Sequence, residues 1–248
     1  DARFNWWGDA SGPYHSTTNP SGLGGEIGDN VKYSPWLGAL FATTPRTYHV
    51  NPTGTIQEAV SEASSGDTVI VHSGTYDEQV AIAKSLTLQG MGDTTIVKPS
   101  SADKLTTVLD GHWWGTTKQV AGIIVANVAT GSSVIVKKMK IDGESVTTRP
   151  TGADFVTGIF YRETGGLIDS VNITGITVTG AGTAVRGYGI YLSAVANTVA
   201  VEIKSSTLTN YDKNGIDVHG NKLTINIHDN NITGRGPLPS GDEVQNGI

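Results

Sequence analysis

The sequence contains no cysteine, few charged residues and no long apolar run. Without cysteine, the 248-residue chain has no disulfide, no thiolate chemistry and no cysteine-ligated zinc. No stretch of 18 or more apolar residues occurs, so no membrane-spanning helix is predicted. The formal net charge of −6 comes without a basic stripe, which argues against a nucleic acid as partner.

Glycine is abundant in the chain, together with threonine, valine and serine. Glycine occurs 32 times, whereas charged residues make up 16% of the chain. This composition favours short strands joined by tight turns over helices. The length allows one large all-β domain or two small ones, and either can bury a sizeable core.

A repeat with one constant and one variable part runs through the second half of the chain. The Gly-Ile pairs that begin at residues 122, 158, 189, 215 and 247 follow one another at intervals of 36, 31, 26 and 32 residues. The turn-like endings KIDG, TVTG, TLTN and NITG follow the first four pairs after 21, 22, 21 and 19 residues. From each ending to the next Gly-Ile pair the spacing is 15, 9, 5 and 13 residues. The first part of the repeat therefore has a nearly fixed length, and the second does not.

The constant part contains alternating runs such as SVIVKKMKI and TVAVEIKSSTL, whose apolar residues recur at period two. Such a unit predicts one coil of a parallel β-solenoid. A β-sandwich is the alternative, but it would not repeat a constant and a variable part in the same order. The glycine of each pair is predicted to adopt a positive φ. The isoleucines predicted to stack in a buried column are Ile123, Ile159, Ile190, Ile216 and Ile248.

A short helix is predicted upstream of these coils. Thr55 and Glu58 have the spacing of a capping box. The apolar residues that follow fall on one helical face, formed by Ile56, Ala59, Val60 and Ala63. We expect this helix to cover the apolar end of the first coil.

The stretch TIQEAVSEASSGDTVIVHSGTYDEQVAIAKSLTLQG resembles the entry segment of the pectate-lyase-like right-handed parallel β-helix superfamily, especially its NosD-like and disaggregatase-like archaeal and bacterial surface proteins. The resemblance covers residues 46–248. It implies an all-β fold, a right-handed parallel β-helix (solenoid) with a short N-terminal capping helix. The likeness is specific for the fold, whereas catalytic residues need their own motifs.

The opening block, from NWWG to YSPWL, resembles an element that usually follows the last coil in these multidomain surface proteins. We therefore predict that residues 1–37, an irregular segment rich in Trp, Gly and Pro, close a preceding β-helix domain. Residues 38–45 would be a linker, and residues 46–248 the next β-helix domain. Because the last Gly-Ile pair begins a new coil, this domain is expected to be truncated or open at its C-terminal end.

The variable segments 144–157, 181–188, 211–214 and 235–246 are predicted to leave the coils on one side and to line a shared groove. Alternation after each Gly-Ile pair also turns two residues of each coil outward, beginning with Ile124 and Ala126 in the first coil. Aromatic rings there can stack on sugars, and charged groups can bind carboxylates and hydroxyls. The predicted carbohydrate-binding residues are Phe160, Arg162, Arg186, Tyr188, Tyr191, Tyr211, Asp217 and His219.

Catalysis would rest on Arg162, Asp217 and His219, since a carboxylate and an imidazole two residues apart on one strand can act as acid and base. The resemblance implies that lyases of the superfamily need an acidic cluster for Ca²⁺ and that its galacturonases need several Asp residues in set motifs. The sequence has no Asn-Thr-Asp, no Asp-Asp pair and no such cluster, so no catalytic residue is carried over. No cofactor is predicted apart from Ca²⁺, whose candidate oxygen ligands are Asp154, Asp212, Asp242 and Glu243.

Three functions remain open at this point. The first is a non-catalytic structural or adhesive solenoid, extracellular or at the cell surface, which contacts polysaccharide and associates through its open ends into a fibre or sheath. The second is a polysaccharide lyase or epimerase acting on acidic glycans. The third is a carbohydrate-binding module. All three predict a polysaccharide or cell-surface glycan as partner.

Overall fold

The computed structural model describes residues 1–41, 43–113, 116–128, 131–178, 187–236 and 246–248. Among these residues β-strand is the main regular structure, so the all-β class predicted from composition is confirmed. The helices are α1 (Ile56–Glu62) and a 3-10 turn (Ala102–Lys104). The strands are β1 (Pro13–Tyr14), β2 (Gly24–Glu26), β3 (Trp36–Leu37), β4 (Thr47–Val50), β5 (Thr68–Val71), β6 (Gly74–Tyr76), β7 (Val80–Ile82), β8 (Leu86–Val97), β9 (Val108–Trp113), β10 (Thr116–Asn127), β11 (Ser133–Asp142), β12 (Phe155–Arg162), β13 (Gly165–Ile176), β14 (Gly187–Ser193), β15 (Val199–Lys204), β16 (Thr207–Tyr211), β17 (Asn214–His219), β18 (Leu223–His228) and β19 (Asn231–Thr233).

Most strands belong to two sheets of mainly parallel strands. Sheet 1 has 11 strands in the order β18-β15-β13-β11-β8-β5-β4-β3, with β6, β16 and β19 paired beside them. Sheet 2 has 6 strands in the order β17-β14-β12-β10-β7, with β9 antiparallel to β10. From β10 onward the chain enters the two sheets in turn. Each visit places the new strand in register beside the strand of the previous visit.

The main hydrophobic core is built from columns of side chains that follow this register. In sheet 2 one fully buried column consists of Val80, Ile124, Ile159, Ile190 and Ile216. In sheet 1 a second column consists of Ile141, Ile173, Leu208 and Ile232. Both columns belong to one cluster. Because each such side chain contributes roughly 1.5–3 kcal/mol when buried, the columns are a main source of stability.

The predicted isoleucine column is wrong at its two ends. In the first coil Ile124, not Ile123, pairs with Ile159, so Val125 and Asn127 point outward instead of Ile124 and Ala126. Ile123 is also fully buried. At the other end of the column Asn246 forms a parallel β-bridge with Asn214. Ile248 is nevertheless 69% exposed to solvent, so it does not extend the buried column. The sequence GII contains two isoleucines, and spacing alone could not decide which of them continues the column.

The glycines of the Gly-Ile pairs have a different role from the one predicted. Gly158, Gly189 and Gly215 are absent from the residues with positive φ. A Cβ on Gly189 would lie 2.5 Å from the carbonyl oxygen of Gly215 and 2.8 Å from a methyl of Leu208. These positions therefore require glycine because sheet 1 side chains and the neighbouring strand approach the backbone closely.

Helix α1 forms where the apolar spacing predicts it, with Ile56, Ala59 and Val60 buried. The Thr55 hydroxyl accepts the Glu58 N–H at 3.2 Å, as a capping box requires. The carboxylate of Glu78 caps the helix as well, accepting N–H groups of residues 56 and 57 at 2.8 Å each. Glu58 itself forms an ion pair with Arg3.

Residues 1–37 pack against the beginning of sheet 1. Strand β3 pairs antiparallel with β4, and the Trp36 side chain is fully buried. Trp36 donates its indole N–H to the Ala10 carbonyl at 3.1 Å, which ties the segment together internally. The Tyr33 hydroxyl accepts the Asn51 amide at 2.7 Å, which ties the segment to the strand end after β4. That residues 1–37 close a preceding domain stays a prediction.

Candidate functional site

The outer face of sheet 2, opposite the main core, carries most of the predicted site residues. Register pairing places Val125, Phe160, Tyr191 and Asp217 in one row across four strands. Two residues further along each strand, a second row consists of Asn127, Arg162, Ser193 and His219. From β12 to β17 these are the outward residues that alternation predicts. We refer to the two rows together as the outer site.

The aromatic residues of the outer site are buried. Phe160 and Tyr191 have no exposed surface and Tyr188 is 1% exposed, because they pack with Phe155, Val120 and Val125 into a second hydrophobic cluster. Phe160 and Phe155 each lie about 5.1 Å from Tyr191 between ring centroids. The expectation of an open aromatic platform is thereby corrected, since these rings pack on one another in edge-to-face and tilted arrangements. Sugar binding by these residues stays a prediction.

A buried carboxylate lies at the edge of this cluster. Asp110, on β9, has no exposed surface. It accepts hydrogen bonds from the Tyr191 hydroxyl at 2.6 Å and from the Ser193 hydroxyl at 2.9 Å. Burial, together with the hydrogen bond to Asp110, raises the pKa of Tyr191 well above its usual value. Asp110 thus joins β9 to the outer face of β14.

Sequence reasoning missed Asp110. Its segment VLDGHWWG has no repeat landmark, and its partners lie 81 and 83 residues away along the chain. Trp114 and the side chain of Trp113, which follow Asp110, lie outside the described part of the chain. A single Asp before a Gly is common in turns, so composition offered no further signal.

Asp217 and His219 are brought together at the end of β17. The Asp217 carboxylate accepts the Asn214 amide at 2.8 Å and lies 3.0 Å from His219 Nε2. The His219 ring contacts the ring of Tyr191, with centroids 5.5 Å apart. Both side chains of the pair are 14% exposed. This arrangement holds the imidazole in one orientation at the rim of the aromatic cluster.

Arg162 lies in the same row as His219, with Ser193 between them. Its Nη1 donates to the exposed Asn127 side chain at 3.2 Å. Its Nε is buried and has no hydrogen-bond partner among the described residues. Because a guanidinium has five N–H donors, Arg162 keeps donors on its terminal nitrogens besides the one that contacts Asn127.

The remaining predicted sugar-binding residues lie elsewhere. Tyr211, on β16, is 2% exposed and belongs to the main core. Arg186 lies outside the described residues, as do Asp242 and Glu243 of the predicted calcium set. The shared groove cannot be described as a whole for the same reason, because residues 179–186 and 237–245 are not described.

Of the predicted calcium ligands, Asp154 and Asp212 lie in the described part of the chain. They belong to separate loops, and each forms an ion pair with a basic side chain. Asp154 forms an ion pair with Lys118 at 3.1 Å and accepts the Gln119 N–H. Burial tends to raise the pKa of Asp154, but these two partners outweigh it and hold the pKa below its ordinary value. Asp212 is buried, accepts the Val178 N–H and lies 3.0 Å from Arg235. Calcium binding stays a prediction. In the described ranges no three His, Cys, Asp or Glu side chains cluster as metal ligands would.

Comparisons with known proteins add little to this geometry. No protein-family model matches the chain, and no curated protein matches it. Among solved structures it is similar to a pectin methylesterase variant crystallised in complex with a hexasaccharide, with 13% sequence identity and a TM-score of 0.33. That match covers 73% of this chain and spans 62% of the other. None of the described helices is long and apolar enough to cross a membrane.

Proposed function

We propose that the chain is a right-handed parallel β-helix with α1 as its capping helix, and that it serves as a non-catalytic structural or adhesive module at the cell surface. The alternation of the chain between two in-register sheets supports the solenoid. The resemblance of residues 46–248 to β-helix surface proteins supports the location. Contact with polysaccharide is the second part of this proposal.

The burial of Asp110, beside the outer site, favours a non-catalytic role for this carboxylate. Asp110 has no exposed surface and is bound by the hydroxyls of Tyr191 and Ser193. These hydrogen bonds fix the covering strand β9 on the sheet. A general acid or base must instead reach a substrate proton directly or through one water.

The single observation that supports polysaccharide contact is the row of polar side chains formed by Asn127, Arg162 and His219. It runs across successive strands at the rim of the outer site, with spacing set by the sheet at about 4.8 Å per strand. Arg162 can form a forked contact with a sugar carboxylate, and the Asn127 amide can bind hydroxyls. An acidic glycan lying along this row is the partner that fits its chemistry.

Substitution of Arg162 by alanine is expected to weaken glycan binding by about tenfold to a hundredfold, because charge-assisted hydrogen bonds are worth about 1.5–3 kcal/mol. Arg162→Lys should recover only part of the affinity, since an ammonium cannot form the planar fork. A panel of pectate, alginate and glycosaminoglycans, followed by calorimetry on the best ligand, measures the effect. Lys204→Ala, which removes a cation from the outer face of sheet 1, serves as the control. Equal losses for both variants would contradict the assignment.

A polysaccharide lyase or epimerase is the second candidate, favoured by the distance of 3.0 Å between His219 and Asp217 beside the Arg162 row. Incubating the protein with the same glycans, with and without Ca²⁺, distinguishes a lyase or epimerase from a non-catalytic module. Absorbance from unsaturated uronates, or a change in uronate stereochemistry detected by NMR, would replace the non-catalytic proposal. Binding without turnover would support it.

Self-association is supported by strand β18 of sheet 1. Among the described residues β18 pairs only with β15, and its inward residues Leu223, Ile225 and Ile227 are partly exposed. A strand edge with apolar neighbours is a template for another chain. The proposed partner at this edge is a second copy of the protein.

We expect Ile225→Lys to weaken self-association at least about tenfold, because natural sheets block edge pairing with inward-pointing charges. Light scattering and electron microscopy over a concentration series give the readout. Asn226→Lys adds the same charge on the opposite face of the same strand and is the matched control. A wild-type protein that stays monomeric at high concentration would refute the assembly proposal, and so would equal behaviour of the two variants.

A further inference from the structure

Two histidines lie beneath the segment formed by residues 1–37. His49 is on β4 and His72 directly follows β5, and their Nδ1 and Nε2 atoms are 3.0 Å apart. Both imidazoles contact the ring of Trp36, with centroids at 5.5 Å from His49 and 5.2 Å from His72. Trp36 is the fully buried residue through which β3 pairs with β4. The histidine pair is therefore part of the contact that holds the segment on sheet 1.

We infer that this His49–His72 pair makes the docking of residues 1–37 sensitive to acid, so that low pH releases the segment and frees the edge of β4. The contact of 3.0 Å requires one ring nitrogen to donate a proton and the other to accept it. When both rings are protonated, two N–H groups face each other and the hydrogen bond is lost. Trp36 can offset the charge of one imidazolium through its ring face, so the second proton has the larger effect.

Within the described part of the chain, no carboxylate acts on the pKa of either histidine. Burial and the neighbouring His72 lower the pKa of His49 to about 4, and burial lowers the pKa of His72. Gly38, which directly follows β3, lies against the ring of His49. Beyond Trp36, His15 stacks on Tyr33 and lies 3.3 Å from the Asp29 carboxylate. The Arg46 guanidinium lies over the ring of Phe41, and the Arg46 backbone N–H donates a hydrogen bond to the Asp67 carboxylate.

The lowered pKa values of the two histidines determine how the stability of docking depends on pH. The folded pKa of each histidine is below its unfolded value of about 6.5, so the docked state is most stable above pH 6.5. Docking stability is lost as the pH falls from 6.5 toward 4. For His49, each pH unit of this range can raise the opening constant up to about tenfold, and the lowered pKa of His72 acts in the same direction.

Hydrogen–deuterium exchange of the whole chain between pH 7.5 and 4.5, corrected for intrinsic exchange rates, tests the inference. The opening constant of the amides of residues 36–50 should be about tenfold to a hundredfold larger at pH 4.5 than at pH 7.5. The amides of β11 and β13 report whether the core stays intact. In the double variant His49→Gln, His72→Gln this acid response should disappear. It should persist in His15→Gln and in His228→Gln, which alter histidines elsewhere.

An acid response that survives in the double variant, or that disappears in His15→Gln, would overturn the inference. Uniform opening of the core strands over the same pH range would overturn it too. If the double variant fails to fold, NMR titration of the wild-type imidazoles decides the question. A pKa of His49 near 4 supports the inference, and a value at or above 6.5 refutes it.

Discussion

Replacing Gly189 by valine is expected to lower the free energy of unfolding by at least about 3 kcal/mol, the upper part of the range for overpacked cores. The new Cβ would lie 2.5 Å from the Gly215 carbonyl oxygen, and that oxygen belongs to the backbone of the neighbouring strand. Backbone atoms cannot move aside without disturbing the pairing of β14 with β17. Urea denaturation, read as a shift of the midpoint at constant m, measures the loss.

Gly247 provides a control at the same place in the repeat. A Cβ on Gly247 would meet a methyl of Ile232 at 3.9 Å, an ordinary contact. Gly247→Val should therefore change the free energy of unfolding by no more than about 0.5 kcal/mol. If the two variants lose equal stability, close approach between strands is not the reason for glycine in this column.

Replacing Asp110 by alanine is expected to cost about 2–4 kcal/mol of unfolding free energy. The substitution removes the shared acceptor of the Tyr191 and Ser193 hydroxyls at a fully buried position. Removing one partner of such a contact leaves the others to be desolvated without compensation. Tyr191→Phe, which removes one donor, should cost about 1.5–3 kcal/mol, since the acceptor is a carboxylate.

A double-mutant cycle separates this contact from general damage to the cluster. The combined Asp110→Ala, Tyr191→Phe variant should lose less stability than the sum of the single variants. Asp103→Ala, at an exposed acidic position in the 3-10 turn, is the control and should stay within about 0.5 kcal/mol. Additive single effects, or a tolerant Asp110→Ala, would show that Asp110 does not hold β9 on the outer face of sheet 2.

The Gly189 and Asp110 substitutions affect different faces of sheet 2. Gly189 faces the main core, where the repeat itself dictates the residue type. Asp110 covers the outer face, where the partner comes from outside the repeat. Their effects on glycan binding should also differ, because loss of the Asp110 contact disturbs the row that contains Ser193 and His219.

Alternation in the sequence was a reliable guide to the side of the sheet on which a residue lies. It placed Phe160, Tyr191 and Asp217 on the outer face, and the register pairs agree. It failed by one residue at GII, because both Ile123 and Ile124 are apolar and both are buried. It also gave no information on what covers the outer face.

By itself the sequence determined the β-rich class, the strand-forming repeat, the short helix and the outward direction of most site residues, because period and residue type act locally along the chain. Only the tertiary structure decided that Phe160 and Tyr191 are buried, that Asp110 joins them, and that Trp36 lies on two histidines. Each of these contacts joins segments that no periodic signal connects, and exposure depends on which segment arrives from elsewhere in the chain.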